Sequence, residues 1–256
     1  MFAEKMGQKL GQHFLVDSAV LAAAKSRVAA LVAELGIETI VEIGPGRGAL
    51  TKKIWDLVPN FVAVERDEKM PEFLDFLPEN SVVLADVLER DFPDFLAGRG
   101  WSVEKTLVVG NLPYYISSPI VRKFFAAGAR MVPAGFFLVQ KEFADRLADD
   151  SRNRGFLWWV LHRGNSVKMR EVVKPKSFRP PPRVDSRFFE IRAGAELGCD
   201  FAALEKLLEK IAGYRRKTLG AIGKIVGVVV PDSLAKKRLD AVTPEEMVDW
   251  VQGLES

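Results

Sequence analysis

The sequence is poor in the residues that build disulfide frameworks and metal centres. Its 256 residues include one cysteine, Cys199, and two histidines, His13 and His162. A lone cysteine excludes an internal disulfide and suits a reducing cytosol, and so few ligands predict no metal site. The sequence also lacks an apolar run long enough to span a bilayer, and its first residues show no hydrophobic signal segment. We therefore expect a cytoplasmic protein that uses no metal and contacts no membrane. We also expect a monomer, although none of these features determines the oligomeric state.

Positive charge is concentrated in one part of the chain. The net charge is +3, yet residues 168–187 alone hold seven basic and two acidic side chains. A basic stripe on a nearly neutral body predicts a polyanionic partner. A solvated charged loop would show the same pattern, so the stripe alone does not decide between the two.

Short apolar runs alternate with helical segments through most of the sequence. Such runs are typical of a parallel sheet covered by helices on both faces. The clearest helix starts at a cap, Asp17 or Ser18, and its apolar residues recur at helical spacing until Gly36. We predict an α/β fold with a mostly parallel sheet of seven strands, at residues 39–44, 61–66, 81–87, 106–111, 135–140, 165–173 and 186–193.

Helical patterns fill the intervals between these strands and the end of the chain. Between the strands they cover residues 48–58, 67–77 and 141–149, with a further helix opening at Ser118-Pro119. Beyond about Gly194 only helical patterns remain, at 201–214, 215–225, 233–242 and 243–254. We predict two domains, residues 1–194 with the sheet and a small helical domain at 195–256.

Four polar side chains lie at or near the carboxyl ends of successive predicted strands: Glu42, Glu65, Asp86 and Asn111. The carboxyl ends of parallel strands meet at one edge of the sheet, where ligands bind in such folds. Each residue alone could be a helix cap or a turn residue. Four in succession, the first beside a glycine-rich turn, predict a binding site.

The turn EIGPGRGAL brings a ligand close to the backbone through glycines at positions 44, 46 and 48. Its spacing differs from the G-x-G-x-x-G of dinucleotide-binding folds. Glu65, 21 residues after Gly44, could hold both hydroxyls of a ribose. Asp86 could accept the N6 protons of an adenine. An adenosine without a polyphosphate loop favours S-adenosylmethionine over NAD.

The segment Asn-Leu-Pro-Tyr closes the strand LVVGN. An exocyclic amine on a base is a poor nucleophile because its lone pair is delocalised into the ring. Two acceptors, the Asn111 side-chain oxygen and a backbone carbonyl at Leu112 or Pro113, would localise that lone pair. Tyr114 offers a face on which an extruded base can stack. The candidate catalytic residues are Asn111, Pro113 and Tyr114, although a rigid turn with a buried tyrosine would show the same sequence.

Seven motifs run through the sequence in order: GQHFL, EIGPGRGALT, VAVERD, GNLPYYISSP, QKEFADRL, FRPPPRVDS and YRRKTL. Together they resemble those of the rRNA adenine N6-dimethyltransferases. The resemblance implies a class I, Rossmann-like methyltransferase domain, a small helical C-terminal domain, and S-adenosylmethionine as cofactor with S-adenosylhomocysteine as product. In the small-subunit branch the substrate is two adjacent adenines in a hairpin near the 3′ end of small-subunit rRNA. The implied partner is that rRNA or a precursor of the small ribosomal subunit.

The resemblance also implies roles for individual residues. It sets Gly44 against the methionine part of the cofactor, Asn111 between cofactor and target, and Phe178 over the far face of the target base. The implied cofactor residues are Gln12, His13, Leu15, Gly44, Gly46, Glu65, Asp86 and Asn111. The implied RNA contacts are Tyr114, Phe178, Arg179, Arg183, Arg215, Arg216 and Lys217.

One segment departs from the small-subunit branch. Where that branch has Tyr-Gly-x-Leu-Ser after QKEFADRL, this sequence has RNRGFLWWVLHR, and we expect Trp158 and Trp159 to pack in the core. The double tyrosine of NLPYY and the motif YRRKTL favour the small-subunit branch. The alternatives are the large-subunit branch, which modifies one adenine and confers macrolide-type resistance, an rRNA-binding assembly factor without catalysis, and a nicotinamide-dependent oxidoreductase.

Overall fold

The computed structural model describes residues 12–113, 115–125, 132–151, 154–194, 198 and 200–255. Its strands are β1 (Phe14–Leu15), β2 (Thr39–Ile43), β3 (Asn60–Glu65), β4 (Val82–Leu84), β5 (Thr106–Asn111), β6 (Ala134–Gln140), β7 (Asn165–Val173), β8 (Phe178–Arg179) and β9 (Ser186–Ala193). Its α-helices are α1 (Ser18–Leu35), α2 (Thr51–Ile54), α3 (Phe92–Ala97), α4 (Ser117–Phe125), α5 (Lys141–Leu147), α6 (Phe156–His162), α7 (Phe201–Ile211), α8 (Leu219–Val226) and α9 (Pro244–Glu255).

Seven strands form one sheet in the order β4-β3-β2-β5-β6-β9-β7. The pairs from β4 to β6 are parallel, whereas β9 runs antiparallel to both β6 and β7. The predicted mostly parallel, seven-stranded sheet is confirmed. Strand order reverses between β2 and β5, and the crevice at such a reversal is where open α/β sheets bind ligands.

Alternate residues of the central strands pack into two hydrophobic clusters, one on each face of the sheet. Val41 of β2 and Val62 of β3 pack in a cluster with α3 to α9. Their neighbours Ile40 and Phe61 pack in the other cluster, with α1 and α2. Burial on both faces accounts for the continuous apolar runs in the sequence. Among the described helices, none is long and apolar enough to cross a membrane.

The first predicted helix is confirmed at both ends. The Asp17 side chain accepts hydrogen bonds from the Ala19 and Val20 amides, which would otherwise lack partners at the start of α1. Gly36 ends the helix in the left-handed conformation, with φ 61°. The aspartate therefore caps α1 directly after the two-residue strand β1.

Two other predicted helices are wrong, and in both cases the chain forms turns. Residues 67–77 contain only a 3-10 turn, Pro71–Phe73, because Pro71 lacks an amide hydrogen and its ring obstructs the preceding α-helical turn. Residues 233–242 contain only the 3-10 turn Leu239–Ala241. There the carbonyls of Ala235 and Lys237 accept hydrogen bonds from amides at the start of α8 instead of from their own segment.

The segment that departs from the small-subunit branch folds as α6. Trp158 and Trp159 are buried there, as predicted, and their rings meet edge to face. The helix itself was not predicted. The hydrophobic cluster on this face of the sheet continues through α6 into α7, α8 and α9, so the C-terminal helices share a core with the sheet.

A buried carboxylate ties α1 to the antiparallel edge of the sheet. Glu190 of β9 is fully buried and accepts hydrogen bonds from Arg27 of α1, Arg170 of β7 and Arg192 of β9. Burial alone would raise the pKa of Glu190, but the three guanidinium groups outweigh it and lower the pKa to about 2. The exposed Glu34 of α1 pairs with two of the same arginines.

Candidate active site

Two adjoining chambers lie at the carboxyl edge of the central strands. The larger, about 860 Å³, is lined mainly by residues that follow β3 and β4. The smaller, about 170 Å³, is lined by residues 12–16 and by the glycine-rich turn. Gln12, Gly44, Glu65 and Pro113 line both chambers, which therefore form one cleft. All eight residues implied for the cofactor line this cleft: Gln12, His13, Leu15, Gly44, Gly46, Glu65, Asp86 and Asn111.

The glycine-rich turn is left-handed at Gly44 and Gly46, with φ of +64° and +54°. A side chain on Gly44 would meet no atom of the described residues within 4 Å, so this glycine faces open space in the cleft. A Cβ on Gly46 would lie 3.0 Å from Cε1 of Phe14. The turn thus leaves room for a ligand at Gly44 while Phe14 packs directly against Gly46.

The Glu65 carboxylate, at the end of β3, is buried and held by backbone amides. Its Oε2 accepts from Gly46 at 3.1 Å, and its Oε1 accepts from Arg66 and Asp67 at 2.8 and 2.9 Å. Burial raises the pKa of Glu65, and these three hydrogen bonds oppose that rise. The carboxylate is fixed in one orientation in the cleft, as a clamp on ribose hydroxyls requires.

Asp86, after β4, is engaged at both oxygens. Oδ1 accepts from the Leu88 amide at 2.9 Å, and Oδ2 pairs with Nη1 of Arg66 at 3.2 Å. The Arg66 side chain is 71% exposed, so this ion pair is weak and an adenine amino group can compete for Oδ2. Arg66 has no role predicted from the sequence, although its position directly after Glu65 was a signal.

The Asn111 amide, at the end of β5, is oriented by the N-terminal segment. Its Nδ2 donates to the backbone carbonyl oxygen of His13 at 3.0 Å. This bond uses the amino end of the amide, so Oδ1 is the end left to accept from a ligand. The predicted role of Asn111 needs that oxygen.

The Pro113 carbonyl does not fit its predicted role as the second acceptor. The Ile116 amide donates to it at 3.1 Å and the Ser117 hydroxyl at 3.0 Å. A carbonyl oxygen has two lone pairs, and both are engaged in this turn. The other carbonyl considered from the sequence, that of Leu112, is the better candidate. Pro113 still lines both chambers.

Residues 12–16 are held at the cleft by a short antiparallel pairing. Phe14 pairs with Arg179 and Leu15 with Phe178, which joins β1 to β8. Nδ1 of His13 donates to the Pro180 carbonyl oxygen at 2.9 Å. We call residues 12–16 the strap. Because two-residue strands leave almost no periodic signal, the sequence analysis missed β1 and β8.

Two aromatic residues, Tyr114 and Phe178, were predicted to contact the target base. Tyr114 lies outside the described residues. Phe178 is fully buried in the cluster that contains α1, because its pairing with Leu15 turns it into the core. It presents no free face, so the stacking role assigned to Phe178 is wrong for this structure. Tyr115, which the sequence analysis did not single out, is 61% exposed and lines the larger chamber.

Much of the basic stripe is neutralised within the protein. Arg170 pairs with Glu190, and Lys174 pairs with Asp185. Arg187 pairs with Asp145 of α5. The prediction that residues 168–187 act as one polyanion contact is therefore too broad, because three of its seven basic residues are paired: two with acids outside the stripe, Glu190 and Asp145, and one with Asp185 within it.

The remaining predicted RNA contacts occupy separate places. Arg179 lines the smaller chamber, and Arg183 is exposed in the loop between β8 and β9. The exposed residues Arg215, Arg216 and Lys217 lie between α7 and α8. The structure therefore does not gather the predicted RNA residues into one site.

Glu42 of β2 is a further acid in the smaller chamber. Its Oε2 is buried and has no hydrogen-bond partner in the part of the chain that the structure describes, and the same is true of the nearby Thr51 Oγ1. Burial raises the pKa of Glu42 to about 8, and the negative charge of Glu65 adds to the rise. The sequence analysis placed Glu42 at this edge without a specific role.

The cleft fits an adenosine-type methyl donor. Gly44 faces open space, Glu65 and Asp86 stand at the ends of neighbouring strands, and Glu42 offers a buried oxygen in need of a partner. An adenosine ligand carries hydroxyl and amino donors for the two outer acids, and a methionine group adds a cation.

Comparisons with known proteins identify the family of the chain. A family model described as ribosomal RNA adenine dimethylase matches residues 3–249. Ribosomal RNA small subunit methyltransferase A of Leptothrix cholodnii is 36% identical over 215 residues, covering 83% of this chain and 77% of the relative. The protein of the same name from Acidithiobacillus ferrooxidans is 33% identical over 250 residues, covering 94% and 90%.

A solved structure shares the whole fold. The crystal structure of a dimethyladenosine transferase from Plasmodium falciparum superposes with a TM-score of 0.73 at 21% identity, covering 95% of this chain and 98% of that one. The likeness extends over both the sheet and the C-terminal helices. With the family model matched over nearly its full length, the chain belongs to the ribosomal RNA adenine dimethylase family.

Proposed function

We propose that this chain uses S-adenosylmethionine to dimethylate N6 of two adjacent adenines in the 3′-terminal hairpin of small-subunit rRNA, during ribosome assembly in the cytoplasm. One observation carries the proposal. The Asn111 amide is held by the His13 carbonyl so that its oxygen is the free acceptor, in a cleft that Glu65 and Asp86 also line. The names of the relatives described above support the small-subunit rRNA as substrate.

The cofactor would lie along the ends of β2, β3 and β4. Gly44 makes room for it, Glu65 would accept from its ribose hydroxyls, and Asp86 would accept from its adenine amino group. S-adenosylmethionine supplies, when bound, a methyl group on a positively charged sulfur. The chain's own residues hold and orient that group without a metal.

Catalysis on the target base is mainly positioning. The oxygen of Asn111 and the carbonyl of Leu112 would accept the two protons of the adenine amine, which localises its lone pair on nitrogen and fixes its direction. No strong base is needed, because the nitrogen becomes acidic once its lone pair is used and its proton passes to water. Positioning of this kind can supply about 7–11 kcal/mol in the best-oriented cases.

The RNA would contact the protein in two places. Near the cleft, the exposed Tyr115 offers an aromatic face to an extruded base, and Arg179 and Arg183 offer positive charge; the stacking role predicted for Tyr114 stays part of the proposal. Farther away, residues 195–256 form the second RNA-binding unit, with Arg215, Arg216 and Lys217 on the phosphate backbone. The protein acts as a monomer on the rRNA or on a precursor of the small subunit.

The test is methyl transfer to small subunits that lack these modifications. Purified protein, labelled S-adenosylmethionine and undermethylated small subunits should give label in RNA, and mass spectrometry should locate two dimethylated adenines in the 3′-terminal hairpin. Large-subunit rRNA in a parallel reaction is the control. If label appears only in large-subunit rRNA, the protein has the resistance-type activity and the proposal is wrong. If neither rRNA is labelled, the protein is an rRNA-binding assembly factor without catalysis.

A further inference from the structure

One buried group of the cleft, Glu42, has a side-chain oxygen, Oε2, with no hydrogen-bond partner among the described residues. Its residue is 2% exposed and sits in the middle strands of the sheet, between Ala63 of β3 and Val109 of β5. A buried carboxylate without a hydrogen-bond partner is strongly disfavoured, and such groups usually become neutral by binding a proton. Glu42 nevertheless lines a chamber in which a ligand could sit.

Several charged groups line the smaller chamber with Glu42 and influence its charge. Of the charged and titratable groups that line the chamber with it, Glu65 on β3 disfavours a second negative charge. Arg47 lies within the glycine-rich turn, Arg179 belongs to β8, and His13 belongs to the strap. On α2 the nearest polar group is the uncharged Thr51. The chamber thus holds two acids and two arginines, and Oε2 of Glu42 has no hydrogen-bond partner among the residues that the structure describes.

We infer that Glu42 is a neutral acid in the free protein and gives its proton to solvent when the cationic cofactor enters the smaller chamber. The inference rests on the proposed use of S-adenosylmethionine at this site. The O–H bond of the Glu42 acid breaks, the proton passes to buffer, and the carboxylate that remains faces the positive charge of the bound cofactor. An opposite charge at close range favours the ionised form of a carboxyl group, which is the driving force for the release.

The sign of the pH dependence follows from proton release. A ligand whose binding releases a proton binds more tightly as pH rises, by up to about tenfold per pH unit while the free acid remains protonated. The raised pKa of Glu42, about 8, sets the upper limit of this range. Between about pH 6.5 and 7.5 we expect the affinity for S-adenosylmethionine to rise nearly tenfold, and to level off above pH 8.

Calorimetry tests the inference without any measurement of activity. S-adenosylmethionine is titrated into the full chain at pH 7 in two buffers of different ionisation enthalpy, and the difference in heat counts the protons released. We expect about one proton per bound cofactor in the unaltered protein. Glu42→Gln, which keeps the shape and removes the titration, should bind the cofactor with the release largely abolished.

The control variant is Glu38→Gln, which removes an exposed carboxylate just before β2 that pairs with Lys105 and does not line the chamber. It should release as many protons as the unaltered protein. A proton release that persists in Glu42→Gln would overturn the inference. If Glu42→Gln fails to fold, the pH series on the unaltered protein decides, and an affinity independent of pH between 6.5 and 7.5 would refute it. Cofactor binding without proton release refutes this inference alone, whereas no binding at any pH also refutes the proposed function.

Discussion

Replacing Glu190 with glutamine should destabilise the protein far more than an ordinary loss of charge. The side chain is fully buried and three arginines donate to it, so Glu190→Gln leaves Arg27, Arg170 and Arg192 facing one another without their shared anion. Removing one partner of a buried ion pair costs about 3–5 kcal/mol. At about 2–4 °C per kcal/mol for a chain of this size, the melting temperature should fall by about 6–20 °C. Thermal and urea unfolding at pH 7 measure the change.

Glu34→Gln is the matched control for this prediction. Glu34 pairs with Arg27 and Arg192 as well, but its side chain is 44% exposed and solvent screens its ion pairs, so its loss should destabilise the protein far less. The pH dependence gives a second check. The pKa of Glu190 in the folded protein, about 2, lies below its ordinary value of 4.5, so the stabilisation is complete above pH 4.5 and is lost as pH falls toward 2. Equal losses in the two variants, or a gap between Glu190→Gln and the unaltered protein that stays constant down to pH 2, would refute the reasoning.

Three further predictions concern the cleft and the RNA contacts. Asn111→Ala should lower the rate of methyl transfer by about 10²–10³-fold, the typical loss for one oriented polar group, while calorimetry still detects cofactor binding; near-normal turnover would contradict the assigned role. Gly46→Ala places a non-glycine residue in the left-handed region with its Cβ 3.0 Å from Phe14, and should lower the free energy of unfolding by about 1–2 kcal/mol and weaken cofactor binding. The control, Gly36→Ala, carries the same backbone strain far from the cleft and should lower stability without changing cofactor binding. Arg216→Ala should weaken rRNA binding and lower its salt slope by about one, and an unchanged slope would exclude a phosphate contact there.

The strands of the sheet and the residues that line the cleft could be predicted, because each is marked by a short stretch of the sequence. Continuous apolar runs mark strands buried on both faces, and a polar residue at the end of each run marks one edge. Glu65, Asp86 and Asn111 reach the cleft for that reason alone. The glycine turn adds a backbone conformation that other residues rarely adopt.

The remaining features depend on contacts between distant parts of the chain. The pairing of β1 with β8 spans only two residues per strand, yet it turns Phe178 into the core and brings the His13 carbonyl to Asn111. Ion pairs such as Arg187 with Asp145 join distant segments and remove charge that composition counts as available. The helix predicted at 67–77 failed for a local reason, because Pro71 interrupts an otherwise favourable pattern.

The position of the strap determines how the Asn111 amide is oriented. The carbonyl that orients Asn111 belongs to His13, so a cleft opened by lifting the strap also frees the amide to rotate. The short β1–β8 pairing, although it lies outside the main sheet, therefore helps to set the direction of the amide that the proposed chemistry needs.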